Sequence, residues 1–454
     1  MEPHEQLLQW AEAKGVKLDG IAPQRLPGRG MGIVATRPIQ PDEILLEVPA
    51  RCLRSIETVP KSLSRRLPRD ISVHGLLAAD LALDASDTYA AWNAVCPTPI
   101  DFASMPIHWP PGAAGAAPRP RACVVGAAKG QDRTGLGRRI QAVPFFLLLL
   151  LLLLLFSSVF FFVRCRRQWR RCRVVETKVR PRLAPRQYAH LLPREPRLRR
   201  RAKEDRMVLQ PVADLFNHAG SRTGWCHVAF DAASFTVRAD RPYSPGDEVR
   251  ICYGRHGGDL LLVEYGFVLG GSDDDDDDDN NNNKEDWLEE NCWDEVGLDD
   301  VLLPRLSDSA KDKLSEVGFL GGYVLDAGTV CYRTQVALRA LCCLQTGREE
   351  EWRRFLEDGE DADAARQGEV DSVFVGMLEE YRAQTIGETL AKVAAKEDDD
   401  GSDSTEGRGG GGDGGPSSSK AQRELLCKRW RHVDRLVRIT IERLKGEASV
   451  NKTH

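Results

Sequence analysis

The chain has 454 residues, of which 42% are hydrophobic, and carries a formal net charge of −5 at pH 7. That length predicts two or three domains with enough apolar material for a sizeable core, and the small negative charge argues against a nucleic-acid binder. Twelve cysteines without a single C-x-x-C pair argue against a clustered zinc site and for buried, reduced thiols in an intracellular chain.

The first twenty residues are polar and charged, so no secretory signal peptide is expected. Within them, Gln6 to Lys14 sets Leu7, Leu8 and Ala11 on one side, which predicts a short amphipathic helix stopped by Gly15. Pro27-Gly28-Arg29-Gly30-Met31-Gly32 comes next. Two glycines at this spacing suit either a hairpin turn or a bare backbone that a ligand can approach closely. They are not a dinucleotide fingerprint, because no third glycine or helix start follows. Strand, turn and strand are predicted over Ile33 to Thr36, Pro38 to Asp42, and Glu43 to Val48 ending at Pro49. Ser72 to Leu83 predicts a helix with Leu76, Leu77, Leu81 and Leu83 available for burial. Trp92, Pro97, Phe102, Met105 and Trp109 then form an aromatic, proline-punctuated segment.

From about residue 112 to residue 201 the character changes to Ala, Gly, Pro and Arg. Phe145 to Val163 is apolar and about long enough to span a bilayer, with Arg138, Arg139, Arg164, Arg166 and Arg167 around it. One reading is a membrane segment. The preferred reading is a gene-model artefact or an unstructured insert. Pro144 to Ser158 uses only Pro, Phe, Leu and Ser, all encodable by pyrimidines alone, as a translated intron tract would be. The Arg-rich flanks also lack helical periodicity. No membrane association is therefore expected.

Order returns near Lys203. Asp214-Leu215-Phe216-Asn217-His218 precedes two short alternating runs, Cys226 to Ala229 and Ser234 to Arg238, which predict strands. Pro245-Gly246 marks a turn. Val249 to Tyr253 predicts a further strand, with Tyr253 at its end, where a side chain can point into a cleft. Glu264-Tyr265-Gly266-Phe267 follows. Asp273 to Asp279 and Asn280 to Asn283 read as a solvated linker. Beyond Trp287 the pattern is helical. Ser307 can cap a helix ending at Gly318. Three apolar stripes recur at helical spacing: Ala337, Leu341 and Leu344; Val370, Phe374, Met377 and Tyr381; and Leu426, Trp430, Val433, Val437 and Leu444. Such stripes are core by default. Residues 397–420 read as a disordered loop.

Gly-x-Gly, strands, Asn-His, strands, Gly-Asp-Glu, Tyr-Gly and Tyr-Gly-Phe, in that order, resemble the SET methyltransferase domain. The form is similar to the Rubisco large-subunit methyltransferase-like branch, which includes ribosomal-protein lysine methyltransferases. The resemblance implies an α+β fold: a β-rich SET domain of small sheets with a pseudoknot-like core, then an all-α substrate-binding domain. In residues, 1–110 and 203–270 would be the two halves of the SET domain, 111–202 the anomalous insert, 271–286 an acidic linker and 287–446 the helical domain. The implied activity is transfer of a methyl group from S-adenosyl-L-methionine to a lysine of a non-histone protein, ribosomal or otherwise translational. A histidine acceptor and a non-catalytic binding module are the alternatives.

By the same resemblance, Arg29, Gly30, Met31 and Gly32 would place backbone groups around the cofactor. Asn217 and His218 would hold its amino-acid part, with the His218 backbone near the adenine, and Phe267 would pack beside the adenine. Tyr253 matches the family's catalytic tyrosine, Tyr265 matches a second tyrosine at the lysine end, and Asp214 would help shape the lysine channel. No metal is expected, because displacement at a sulfonium needs alignment, a neutral amine and exclusion of water. Two departures stand out. The family's Ser-Asn pair is replaced by Gly257-Gly258, and no arginine-bearing helix is recognisable ahead of Asn217-His218. The remaining expectations are a protein substrate, no nucleic acid, a monomer, and a cytoplasmic or nuclear location.

Overall fold

The computed structural model describes residues 2–27, 29–68, 71–84, 86–97, 102–106, 109, 208–221, 224–231, 233–270, 291–359, 361, 364–394 and 418–450. The apolar run at 145–163, the acidic run at 273–279 and most of the loop expected at 397–420 lie outside the described residues. Among the described residues, no helix is long and apolar enough to cross a membrane. The chain divides into two units, Met1–Phe102 with Ala127–Arg255, and Ala103–Gly126 with His256–His454.

In the first unit, helix α1 (Pro3–Ala13) buries Leu7 and Ala11 and is followed by Gly15 at φ +88°. Its start is set by Pro3 and by reciprocal bonds between Glu2 and Glu5, which satisfy backbone donors that have no partner within the helix. Short strands follow: β1 (Lys17–Leu18), β2 (Ile21–Leu26), β3 (Gly30–Ala35), β4 (Ile44–Pro49) and β5 (Arg54–Ser55). Helix α2 (Val73–Leu83) is capped by Ser72, whose Oγ accepts from the Gly75 N–H. It buries Leu76 and Leu77 but leaves Leu83 46% exposed at its end. A single turn, α3 (Ala90–Asn93), carries Trp92.

The chain then contributes β6 (Val208–Leu209), β7 (His227–Phe230), β8 (Ser234–Arg238) and β9 (Glu248–Val249). These build three small antiparallel sheets, ordered β1-β4-β8-β7, β2-β3-β9 and β5-β6. The strands expected at 33–36 and 43–48 are neighbours in sequence but lie in different sheets. β3 pairs with β2 and β9, while β4 pairs with β1 and β8. Ladders this short stabilise little by themselves. What holds them is the apolar filling between the sheets, including Ile33, Leu45, Leu46, Val48, Phe216, Phe235, Val249 and Ile251, each at most 1% exposed. Burying each such side chain contributes about 1.5–3 kcal/mol.

The strand expected over Val249 to Tyr253 is also shorter than the sequence suggests. Past β9 the chain leaves β3, and Ile251 forms a parallel bridge with His218. The Ile251 N–H donates to the Asn217 carbonyl (3.1 Å), and the Ala219 N–H donates to the Ile251 carbonyl (2.9 Å).

The second unit is mostly helical. It runs α4 (Gly258–Tyr265), β10 (Glu295–Gly297), α5 (Asp308–Glu316), β11 (Val324–Asp326), α6 (Tyr332–Leu344), α7 (Glu349–Asp358), α8 (Ala364–Tyr381), α9 (Gly387–Ala394) and α10 (Ser418–Val450). β10 and β11 form one antiparallel pair. Ser307 Oγ accepts from the Ala310 N–H (3.2 Å), as its sequence position predicts. Ala337, Val370, Phe374, Met377, Leu426, Trp430, Val433, Val437 and Leu444 are buried in one core, with Leu341, Leu344 and Tyr381 packed against it.

Arg429 on α10 is wholly buried in this unit. Its Nε donates to Asp259 Oδ1 (2.6 Å), its Nη1 to Asp294 Oδ2 (2.6 Å) and its Nη2 to the Glu295 carbonyl (3.1 Å). A buried guanidinium satisfied in this way ties the start of α4 and strand β10 to the last helix.

Candidate functional site

The β2–β3 hairpin carries both glycines, and they serve different ends. Gly30 has φ +70°, a left-handed conformation that a side chain disfavours, and a Cβ there would meet nothing within 4 Å. Its backbone faces open space. Gly32 has an ordinary backbone, but a Cβ there would lie 2.5 Å from Leu26 Cδ1, 2.8 Å from Asn217 Nδ2 and 3.2 Å from Glu248 Oε1. The second glycine is therefore needed because the Asn217 segment packs directly on the hairpin.

That segment is delivered by a strained turn. Val212, a β-branched residue with no exposed surface, sits at φ +67°, ψ −40°, and the Ala213 N–H donates back to the Pro211 carbonyl (2.8 Å). A γ-turn of this hand is rare and costly for a branched side chain. It immediately precedes Asp214, Asn217 and His218. The parallel bridge then brings Tyr253 beside them. The Tyr253 N–H donates to His218 Nδ1 (3.1 Å), and the two rings lie 5.1 Å apart. An Nδ1 that accepts places the neutral ring's proton on Nε2. The Tyr253 hydroxyl donates to the Phe216 carbonyl (2.6 Å). Burial, with the nearby charges of Asp214 and Glu248, holds the Tyr253 hydroxyl well above the ordinary tyrosine range. It stays protonated at any physiological pH. Its hydrogen is committed to the Phe216 carbonyl.

Asp214 is open to solvent in surface terms, yet the protein around it desolvates the carboxyl and pushes it up to about 6. Opposing the shift, the Trp92 indole N–H donates to Asp214 Oδ2 (2.9 Å). Trp92 is itself fixed from behind. Arg54, with no exposed surface, lies over the rings of Tyr89 (4.2 Å) and Trp92 (5.9 Å). Its guanidinium is held by Asp80, Asp84 and Asn93 (2.9–3.2 Å).

Glu248 is the other hub. Its Oε1 accepts from Asn217 Nδ2 (2.8 Å), and its Oε2 accepts from Arg29 Nη1 (2.5 Å) and Arg250 Nε (2.8 Å). The structure thus joins Arg29, Gly32, Asn217, His218, Tyr253 and Asp214 within the first unit.

Tyr265 and Phe267 belong to the second unit, where their rings are 6.2 Å apart and His256 lies 6.1 Å from Tyr265. Gly266 between them takes φ +77° to end α4, and a Cβ there would press on Met105 Cγ at 3.0 Å. Gly258, which replaces a polar residue of the family pattern, is also explained locally. Its N–H donates to Asp294 Oδ1 (2.7 Å), and a Cβ would fall 2.5 Å from Arg429 Nη1.

Sequence reasoning missed Glu248, Trp92 and the Arg54 cluster as parts of the site. Gly246-Asp247-Glu248 was visible as a turn-and-strand pattern, but nothing in it names Arg29 or Asn217 as partners. Trp92 was visible only as part of an aromatic, proline-punctuated segment.

Residues 30–254 match the family model of the SET domain. Over 66 residues the chain is 35% identical to ribosomal lysine N-methyltransferase set11 of Schizosaccharomyces pombe, a match covering 14% of this chain and 17% of that protein. Over 274 residues it is 24% identical to human SET domain-containing protein 4, covering 58% of each. The chain thus spans 17% and 58% of the lengths of these two relatives. Among solved structures, the SET domain of LSMT bound to methyl-lysine and AdoHcy is similar, with a TM-score of 0.57 and 13% identity, over 100% of this chain and 93% of that one. Rubisco LSMT bound to AdoMet gives a TM-score of 0.51 at 12% identity over the same shares. At such identities the likeness is one of fold: small sheets followed by helices.

Proposed function

We propose that this chain, a SET-domain protein through residues 30–254, is an S-adenosylmethionine-dependent methyltransferase acting on a lysine of a non-histone protein, with the helical unit serving substrate binding. The observation that carries the proposal is the junction of the Gly30–Gly32 hairpin, Asn217-His218 and Tyr253 in one unit by direct contact. The relative named for lysine methylation, set11, supports the lysine acceptor and a ribosomal target.

The residues suit the cofactor on their own terms. Open space above the Gly30 backbone admits a ligand at close range. The Asn217 amide is turned with its nitrogen to Glu248, so its oxygen faces the other way as an acceptor for an ammonium group. When bound, the cofactor would supply an electrophilic methyl on a sulfonium. Tyr253 cannot serve as a base, because its hydroxyl stays protonated. Its task is positional: a fixed hydroxyl oxygen offers lone pairs to cationic or polar groups at the reacting centre. Asp214, ionised above about pH 6, offers an anionic acceptor that draws in and orients the amine. The lysine ammonium must release its proton to solvent before attack, which desolvation of the amine favours; the neutral amine then displaces the sulfonium's thioether in line, with alignment as the main help.

The test is transfer of labelled methyl from S-adenosylmethionine to proteins of a cell extract by the intact chain and by its Tyr253→Phe variant, with mass spectrometry of the labelled peptide. Tyr253-dependent ε-methyl-lysine is expected. Methyl-histidine would redirect the acceptor. Absence of both labelling and cofactor binding would leave a non-catalytic module.

A further inference from the structure

Glu248 is a carboxylate with 9% of its side chain exposed, set between two guanidinium groups and one amide. A carboxylate only accepts hydrogen bonds. Whatever faces it must therefore donate, and the Asn217 amide does so through Nδ2 (2.8 Å). That single contact determines which end of the Asn217 amide faces away. Arg29 and Arg250 keep Oε2 engaged (2.5 and 2.8 Å), so the carboxylate cannot turn aside. Gly32, having no side chain, lets this pair pack against the hairpin, since an added Cβ would approach Oε1 to 3.2 Å and Asn217 Nδ2 to 2.8 Å.

Resting on the functional reading above, we propose that Glu248 is the positioning residue that fixes the Asn217 amide with Oδ1 outward, so that the site selects cofactor-class ligands bearing an α-ammonium group. Glu248 need not touch the ligand. It acts by setting the polarity of the residue that does.

Two substitutions at Glu248 should act asymmetrically. In Glu248→Gln the new side chain has one acceptor and one donor end. Two guanidiniums compete for the acceptor, which leaves the donor facing Asn217. Asn217 must then present its oxygen inward and its nitrogen outward, opposite in polarity to an ammonium ligand. In Glu248→Ala the amide is released to rotate but not inverted.

Binding is measured calorimetrically with S-adenosylhomocysteine and with 5′-methylthioadenosine, which keeps the adenosine and thioether but lacks the amino-acid end. For Glu248→Gln, S-adenosylhomocysteine affinity is expected to fall by ~10-fold or more, the scale of one mispaired polar contact. Glu248→Ala should lose less, and methylthioadenosine should bind all three proteins within about twofold, a difference too small for a lost hydrogen bond. Thermal unfolding of each variant confirms the fold. Equal loss for both ligands, or unchanged S-adenosylhomocysteine affinity in Glu248→Gln, would overturn the inference while leaving the methyltransferase reading intact. Failure of the unaltered chain to bind either ligand would overturn both.

Discussion

Gly258→Ala tests whether the departure from the family's Ser-Asn pattern is a structural necessity. At an ordinary helix start, replacing glycine by alanine gains about 0.4–1 kcal/mol, because the unfolded chain loses freedom. Here the sign should reverse. The new methyl would lie 2.5 Å from Arg429 Nη1, 2.8 Å from its Cζ and 3.0 Å from Asp294 Oδ1. A flexible arginine could swing away, but this one is buried and bonded to Asp259, Asp294 and the Glu295 carbonyl. Overpacking costs about 1–3 kcal/mol, and dislodging the guanidinium from a carboxylate costs about 3–5 kcal/mol. Set against the small backbone gain, a net loss of roughly 3–7 kcal/mol is expected, read as a midpoint shift on the order of 10–20 °C in a unit of this size. Thermal unfolding of the whole chain, followed by tryptophan fluorescence and circular dichroism, measures it. Gly257→Ala is the control: its Cβ would crowd Glu295 Cγ at 3.1 Å, the stem of a flexible side chain, and would meet the Glu295 nitrogen (3.5 Å) and Trp293 carbonyl (3.7 Å) at ordinary contact distance, so a change under about 1 kcal/mol is expected. A Gly258→Ala protein as stable as the parent would refute the packing account and return the glycine pair to the status of a degenerate site.

Tyr253→Phe should lower methyl transfer roughly a hundredfold, the scale of one lost polar group at a reacting centre, while S-adenosylhomocysteine affinity by calorimetry stays close to the parent. Activity should fall with decreasing pH as Asp214 takes up a proton near 6. In Trp92→Phe the lost indole N–H no longer favours the charged form, so the midpoint of that acid limb should move up, by about one unit at most; a pH–rate profile that stays put would exclude the contact. Gly32→Ala should weaken S-adenosylhomocysteine binding ~10-fold or more by driving a methyl between Leu26 and Asn217. Arg54→Met should destabilise the first unit by about 3–5 kcal/mol by stranding Asp80 and Asp84. Burial already raises the Asp80 carboxyl, and removing its cation raises it further. A raised carboxyl binds its proton more tightly when folded, so that loss should be largest at alkaline pH and shrink as acid neutralises Asp80, which denaturation at two pH values reads directly.

What could be foreseen in this chain, and what could not, follows from the range of the forces involved. The helical stripes were legible because residues three and four apart share a face whatever they pack against; Phe374 and Val437 are buried on that logic alone. Ser307 was legible because a cap is made within three residues. The glycine loop and Asn217-His218 were visible as types and in order. Their contact was not, because no local rule says that Gly32 must lack a Cβ to admit an amide from the far half of the sequence. The same limit explains the shortened strand at 249–253. Alternation of residue types predicts extension but not partner, and this stretch changes partners midway, from β3 at Val249 to the Asn217–Ala219 segment at Ile251. That exchange places Tyr253 beside His218, so the irregularity that defeated the strand assignment is also what assembles the site. Glu248 stands at the same turning point, one residue before the chain leaves the sheet, with Val34 opposite it in the ladder and its carboxylate on Asn217. A position that must satisfy a ladder, two guanidiniums and an amide at once is constrained by topology far more than by its own propensity, and only the assembled fold makes that constraint visible.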